Sequence, residues 1–208
     1  MSERVSYAER RKVQLREEIV DAAFAVFAER GYHDAGIAEI AERLGIGHGT
    51  FYRHFENKRA ILDHVVDGVM ARALQALAAE NAPDAADDLE AYRDQVHRIA
   101  EALHALINDD PRVVRLLLVQ AGGIDADVEA KVFGMLDLAA QVTAAYLNNG
   151  RDRGFLRPDV DCQSTAEALV GMIIGGSLFA LRKPEDRDAQ ERYKQAAIRL
   201  MFEGIAKS

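Results

Sequence analysis

The chain has 208 residues, of which 49% are hydrophobic and 29% charged, with a formal net charge of −8. That length supports one large or two small domains around a real core, and the acidic balance excludes a chain that is basic throughout. Pro is rare, at 4, and no run of alternating β-branched residues occurs, so the class reads as all-α. The charge is uneven: residues 1–60 carry 10 basic and 10 acidic side chains, so the whole excess of acid lies beyond residue 60. One end can therefore face an anionic partner while the other faces solvent. The single cysteine, Cys162, has no intrachain partner, and the opening residues are too polar for a signal peptide. The longest uncharged apolar run, 168–181, is shorter than the roughly 18 residues of a membrane span. A reduced, cytoplasmic setting without a membrane partner is the expectation.

In chain order, the first residues, to about 8, lack structural signals. Arg4, Arg10, Arg11, Lys12 and Arg16 face only Glu9 in their stretch. This is either a solvated tail or a basic arm that can reach a nucleic-acid backbone. A helix over about 9–30 places Ile19, Ala22, Ala23, Val26 and Phe27 on one stripe, and Gly31 ends it. Ile37, Ile40, Ala41 and Leu44 then fall at i, i+3, i+4 and i+7, one apolar face of a short helix. Gly45 follows where the chain must turn with positive φ. A second helix, about 47–55, buries Phe51 and turns His48, Thr50, Tyr52, Arg53 and His54 outward. That set of a cation, hydroxyls and imidazoles suits phosphate and base edges better than a core. The spacing reads as a helix-turn-helix whose second helix enters the major groove of DNA. An amphipathic helical hairpin with a glycine turn has the same spacing.

The run GTFYRHFENK narrows the choice. Residues of about 15–62 resemble the DNA-binding domain of the tetracycline-repressor (TetR) family, whose pattern is met at Gly49, Thr50, Phe51, Tyr52, His54, Phe55 and Lys58. The resemblance implies DNA contacts from His48, Gly49, Thr50, Tyr52, Arg53, His54 and Lys58, the lysine on phosphate. It also implies double-stranded operator DNA as partner, a small-molecule effector and a homodimer; few charged residues at inward positions of the body make a hydrophobic or amphipathic effector the expectation. The chain departs from the family at Ala35, Gly36 and Gly47, where relatives place hydroxyl residues, so hydroxyl contacts are not expected there. Asp34 is the nearest cap for the helix at 37. The loop GIGHG is not a phosphate cradle, since no strand precedes it.

Asn57 can cap a linking helix to about residue 79. The acidic break at 80–88 leads to helices at about 87–108, from Pro111 to a stop at Gly122 and Gly123, from Asp125 to Gly150, at 162–181 and at 185–206. The helix at 162–181 is apolar almost all round, so burial on several sides is expected. About nine helices result: a three-helix reader over 1–60 and a larger effector-binding and dimerisation body over 61–208. Tyr92, Leu103, Leu117, Phe133, Leu136, Met172 and Phe179 are candidate walls for an effector pocket, with plain core as the alternative. In TetR-like proteins the last two helices pair across a dimer, which makes Gly171, Gly175, Ser177, Tyr193, Leu200 and Met201 candidate interface; packing within one chain is the alternative. His97 and His104 share a helix face without a third ligand nearby, so no metal is assigned. No cofactor motif and no catalytic constellation survive inspection, which excludes an enzyme as the leading reading. The expectation is a ligand-responsive repressor, the alternative a helical dimer with weak or lost DNA binding.

Overall fold

The computed structural model describes residues 7–76, 81–120 and 123–206. Among these residues the chain forms nine α-helices: α1 (Tyr7–Arg30), α2 (Ile37–Arg43), α3 (His48–Tyr52), α4 (Lys58–Ala76), α5 (Leu89–Asp109), α6 (Pro111–Arg115), α7 (Ala126–Asp152), α8 (Cys162–Arg182) and α9 (Arg187–Ile205). A π-helical segment, Leu116–Gln120, continues α6. The all-α class and the helix count agree with the sequence reading. Arg4 of the basic stretch, residues 77–79 of the linking helix and the stop at Gly122 lie outside the described residues.

Short-range chemistry sets most helix starts. Asp88, Asp110, Asp125, Asp161 and Asp186 each accept a hydrogen bond from a main-chain N–H two or three residues on, so the orphan donors of five helices are partly satisfied by carboxylates. Asn57 does the same for α4, its Oδ1 lying 2.9 Å from the Ala60 N–H. Gly31 and Gly45 take φ of 81° and 63°, the left-handed turns that end α1 and separate α2 from α3. The caps of α2 and α3 are Gly36 and Gly47, with no side-chain bond. Asp34 therefore does not cap α2, contrary to expectation.

Two apolar clusters hold the molecule. The first joins Ile19, Phe27, Ile40, Phe51, Phe55 and Ile61 of the reader helices. Val113, Leu116, Leu117, Val128 and Val132, from α6, the π segment and the start of α7, complete it. The reader thus shares its core with the body. The second cluster lies at the far end, where Tyr92, Leu147, Leu156, Phe202 and Ile205 gather. There Arg157 N–H donates to Ile205 O at 2.9 Å and pins the end of α9 to the 154–157 loop.

Helix α8 departs from expectation twice. It is long and apolar enough, by length and composition alone, to cross a membrane. It is also less enclosed than its composition implied: Cys162, Ala166, Val170 and Ser177 are buried, while Ile173 and Leu178 stay substantially exposed. α8 packs on α7, α9 and α6 within the chain, and Ile173 and Leu178 remain on its exposed side.

Candidate nucleic-acid interface and ligand cavity

The reader presents its polar residues from α3 and the turn after it. α3 is shorter than predicted, so Arg53 and His54 sit in the turn that follows rather than on the helix. Phe51 points inward and is fully buried; Tyr52 points outward and is 54% exposed. His48, Gly49 and Arg53 are exposed, and Thr50 is half-buried, its Oγ1 accepting from Arg53 Nη2 at 3.0 Å. Arg16 on α1 closes the edge. Its guanidinium donates to His54 O at 2.6 Å and lies 4.1 Å over the Phe55 ring, so it ties the end of α3 to α1. Arg16 was grouped with the basic stretch from sequence; nothing local to it signals the tie.

Lys58 is placed differently from the expectation. Its ammonium donates to Tyr32 O at 2.6 Å, His33 O at 2.8 Å and Ala35 O at 3.2 Å, and lies 4.6 Å over the Tyr32 ring. All three of its N–H donors are committed to the turn between α1 and α2. A cation at the start of α4 is therefore explained by the carbonyls of the turn between α1 and α2, which it satisfies within the fold. Ala35 is buried in the same turn, so its side chain faces core and not solvent.

His54 Nδ1 is buried without a hydrogen-bond partner. Burial, then the nearby Lys12, Arg16 and Arg53, holds the His54 imidazole below the usual histidine range; burial and Arg16 do the same to His64. The unfolded chain therefore binds more protons than the folded one just below the usual histidine pKa of about 6.5. Stability is fully present above that value and falls as pH drops toward the folded-state pKa values. A denaturant midpoint that declines from pH 7.5 to 5, with a shallower decline in His54→Gln, is the expected result; a flat profile contradicts it.

The body encloses a cavity of about 340 Å³ between α5, α7, α8 and α9. Tyr92, Leu103, Leu136 and Met172 line it as the sequence suggested. The other three candidates do not. Leu117 is buried in the shared reader core, Phe133 is 58% exposed, and Phe179 stacks behind Tyr193 at 5.6 Å. Val96, Ile99, Ala139 and Ile198 complete much of the apolar wall. The polar lining is largely committed. Thr143 donates to Ala139 O, Tyr193 to Met172 O, and Gln190 to Lys183 O, while the Lys194 ammonium pairs with Glu101 and Glu191. Burial pushes the Tyr146 phenol up to about 12 and raises Tyr92 as well, so neither ionises near neutrality. His104 lines the cavity and His97 is exposed; among the described residues no group of three metal-ligating side chains occurs.

Several candidate interface residues are used inside the chain instead. A Cβ on Gly175 or Gly176 would meet the Tyr193 ring or hydroxyl at 2.8–2.9 Å, so these glycines let α9 approach α8. Ser177 is buried and donates to Ile173 O at 2.9 Å; Met201 lines the cavity. Gly175, Ser177, Tyr193 and Met201 thus make contacts within one chain. Gly171 and Leu200 remain on the outside, Leu200 at 64% exposure.

Residues 19–65 match the family model of bacterial regulatory proteins of the tetR family. That N-terminal segment is similar to the DNA-binding domain of tetR-family regulators. The chain is 27% identical over 164 residues to the uncharacterised HTH-type transcriptional regulator YdgC of Bacillus subtilis, covering 77% of the chain and 78% of that protein. Its fold is like that of SmeT, the repressor of a Stenotrophomonas maltophilia multidrug efflux pump, with a TM-score of 0.71 and 26% identity over 93% of the chain and 91% of SmeT. It is also like FadR of Bacillus subtilis solved with stearoyl-CoA, with a TM-score of 0.73 and 19% identity over 89% of the chain and 96% of FadR.

Proposed function

We propose that the protein is a ligand-responsive transcriptional repressor, released from operator DNA when a hydrophobic small molecule fills the body. The observation that carries this reading is the apolar cavity of about 340 Å³, walled by helices that pack against a reader whose polar α3 face is open to solvent. Structures of two proteins of this fold hold ligands with large apolar parts, stearoyl-CoA in FadR and triclosan in SmeT. The contacts assigned to DNA are His48, Gly49, Thr50, Tyr52 and Arg53, with the half-buried His54 beside them and Lys58 behind. The exposed surface of α8 and α9, with Gly171, Leu178 and Leu200, pairs with a second copy, so two readers meet a near-palindromic site. A reduced, cytoplasmic setting agrees with one buried thiol, Cys162.

The glycine caps of α2 and α3 favour the second reading, a helical dimer with weak DNA binding. Gel-shift titration against genomic fragments at low salt separates the two. A sequence-specific shift that 1-decanol, used as an apolar probe, reverses supports the repressor; no specific shift supports the second reading. Tyr52→Ala is expected to weaken binding to specific and unrelated duplexes by the same factor, because a side chain positioned on phosphate carries no sequence information. A loss confined to the specific duplex makes Tyr52 a base reader instead.

A further inference from the structure

Three elements meet behind the reader: the turn between α1 and α2, the first turns of α4, and the start of α7. Asp63 Oδ1 on α4 is shared, accepting from Arg59 Nη1 at 2.7 Å and Lys131 Nζ at 3.2 Å. Lys131 also pairs with Asp67 at 2.8 Å, and Arg59 donates to Asp125 at 2.9 Å. The network therefore joins two α4 carboxylates and one α4 guanidinium to one cation and one carboxylate of α7. A second contact runs alongside, where His33 Nε2 meets Gly123 O at 2.5 Å. The next residue on α4, Lys58, holds the carbonyls of residues 32, 33 and 35. Arg59 and Lys131 are 25% and 33% exposed, but their partners Asp63, Asp125 and Asp67 are 43%, 41% and 68% exposed, so solvent screens the network in part.

The same α7 carries the cavity wall further along, at Leu136, Ala139, Val142, Thr143 and Tyr146. One continuous helix thus has the cavity on its middle turns and the charged contacts on its first two. An α-helix is stiff over such a length, and a displacement of one or two ångströms is enough to part a 2.7–3.2 Å ion pair. Other charged or titratable groups near α4 include Tyr32, which lies within the fields of Arg59, Asp125 and Asp63, His64, which faces Arg16, Asp67, Glu17 and Phe55, and Arg72, paired with Asp109 on α5. Of the last two, His64 and Arg72, neither reaches α7 in the described contacts.

We propose that the Lys131–Asp63–Arg59–Asp125 network is the clasp through which occupancy of the cavity is transmitted to the reader. With the clasp closed, movement of α7 pulls α4 and, through Lys58, the turn that orients α2. With the clasp cut, the reader no longer responds. Asp125 also caps α7, so Asp125→Asn removes its charge and keeps the cap. This proposal rests on the cavity being an effector site, and its test does not need the effector.

Hydrogen exchange followed by mass spectrometry on the full chain reads it out. Ala139→Leu fills part of the cavity from α7 itself. In the otherwise native chain it is expected to raise exchange across residues 31–52 about five-fold, within the range seen for coupled sites. In the Lys131→Met background the same substitution is expected to change that region less than about two-fold, and Lys131→Arg restores the full response. Equal responses in the Met and native backgrounds overturn the clasp, as does failure of arginine to rescue. Should Ala139→Leu not fold, 1-decanol replaces it, with binding measured separately by calorimetry. Decanol that binds and alters reader exchange equally in both backgrounds overturns the clasp. Absence of decanol binding to the native chain overturns the effector-site reading, and the clasp with it.

Discussion

Lys58→Ala is expected to destabilise the protein by about 1.5–3 kcal/mol while leaving the salt dependence of DNA binding almost unchanged. A lysine on phosphate behaves in the opposite way: its loss costs little stability and lowers the slope of log K against log salt by about one unit. The two outcomes differ because the ammonium here is spent within the fold. Its three donors meet the carbonyls of Tyr32, His33 and Ala35, and the Tyr32 ring lies beneath it. Removing it leaves three acceptors in the turn between α1 and α2, with water reaching only some of them, since Tyr32 and Ala35 are buried. Lys58→Met keeps the aliphatic packing and loses the charge, so most of the effect should persist in it. Denaturant titration gives the stability and fluorescence anisotropy on a labelled duplex gives the slope. An unchanged midpoint with a shallower slope returns Lys58 to the DNA surface.

The largest loss is expected at Phe51. Its side chain is completely buried in the first apolar cluster, with its ring 6.4 Å from that of Phe55. Phe51→Ala removes a ring from a close-packed cluster and should cost about 3–5 kcal/mol. For a domain of this size that lowers the melting temperature by roughly 10 °C or more. DNA binding should vanish before the body melts, because α3 is only five residues long and makes no stable helix without its buried anchor. Exchange of the α2–α3 amides well ahead of those in α8 would show this order. Loss of both regions together, at one midpoint, would mean that the shared core makes the chain a single cooperative unit.

The parts that were legible in the sequence are those that rest on local chemistry. Asp125 and Asn57 were readable as helix starts because a cap acts within three residues. Gly31 and Gly45 were readable because a left-handed turn excludes most side chains. The α3 pattern was readable because Phe51 and Tyr52, about 100° apart around a helix, fall on different sides of a short amphipathic element. What failed depends on contacts far apart in the chain. Lys58 meets carbonyls 23 to 26 positions away. Tyr92 and Leu117 share the same apolar character at helical spacing, yet one lines a cavity and the other fills the reader core. Spacing says that a face is covered; it does not say whether the cover is protein or space. The small residues of α8 posed the same ambiguity, and Tyr193 resolved it for Gly175 and Gly176 by seating against them.

The core shared by Val113, Leu116, Leu117, Val128 and Val132 with the first four helices bears on how such molecules can be recombined. A head transplanted at residue 60 onto another trunk would keep its operator-facing surface but meet foreign side chains on its underside. Grafts that travel with their matching α6 and α7 segment should stay soluble where bare heads do not. Exchange of specificities between relatives is thus confined to the outward half of α3, while the inward half has to remain matched to its own trunk.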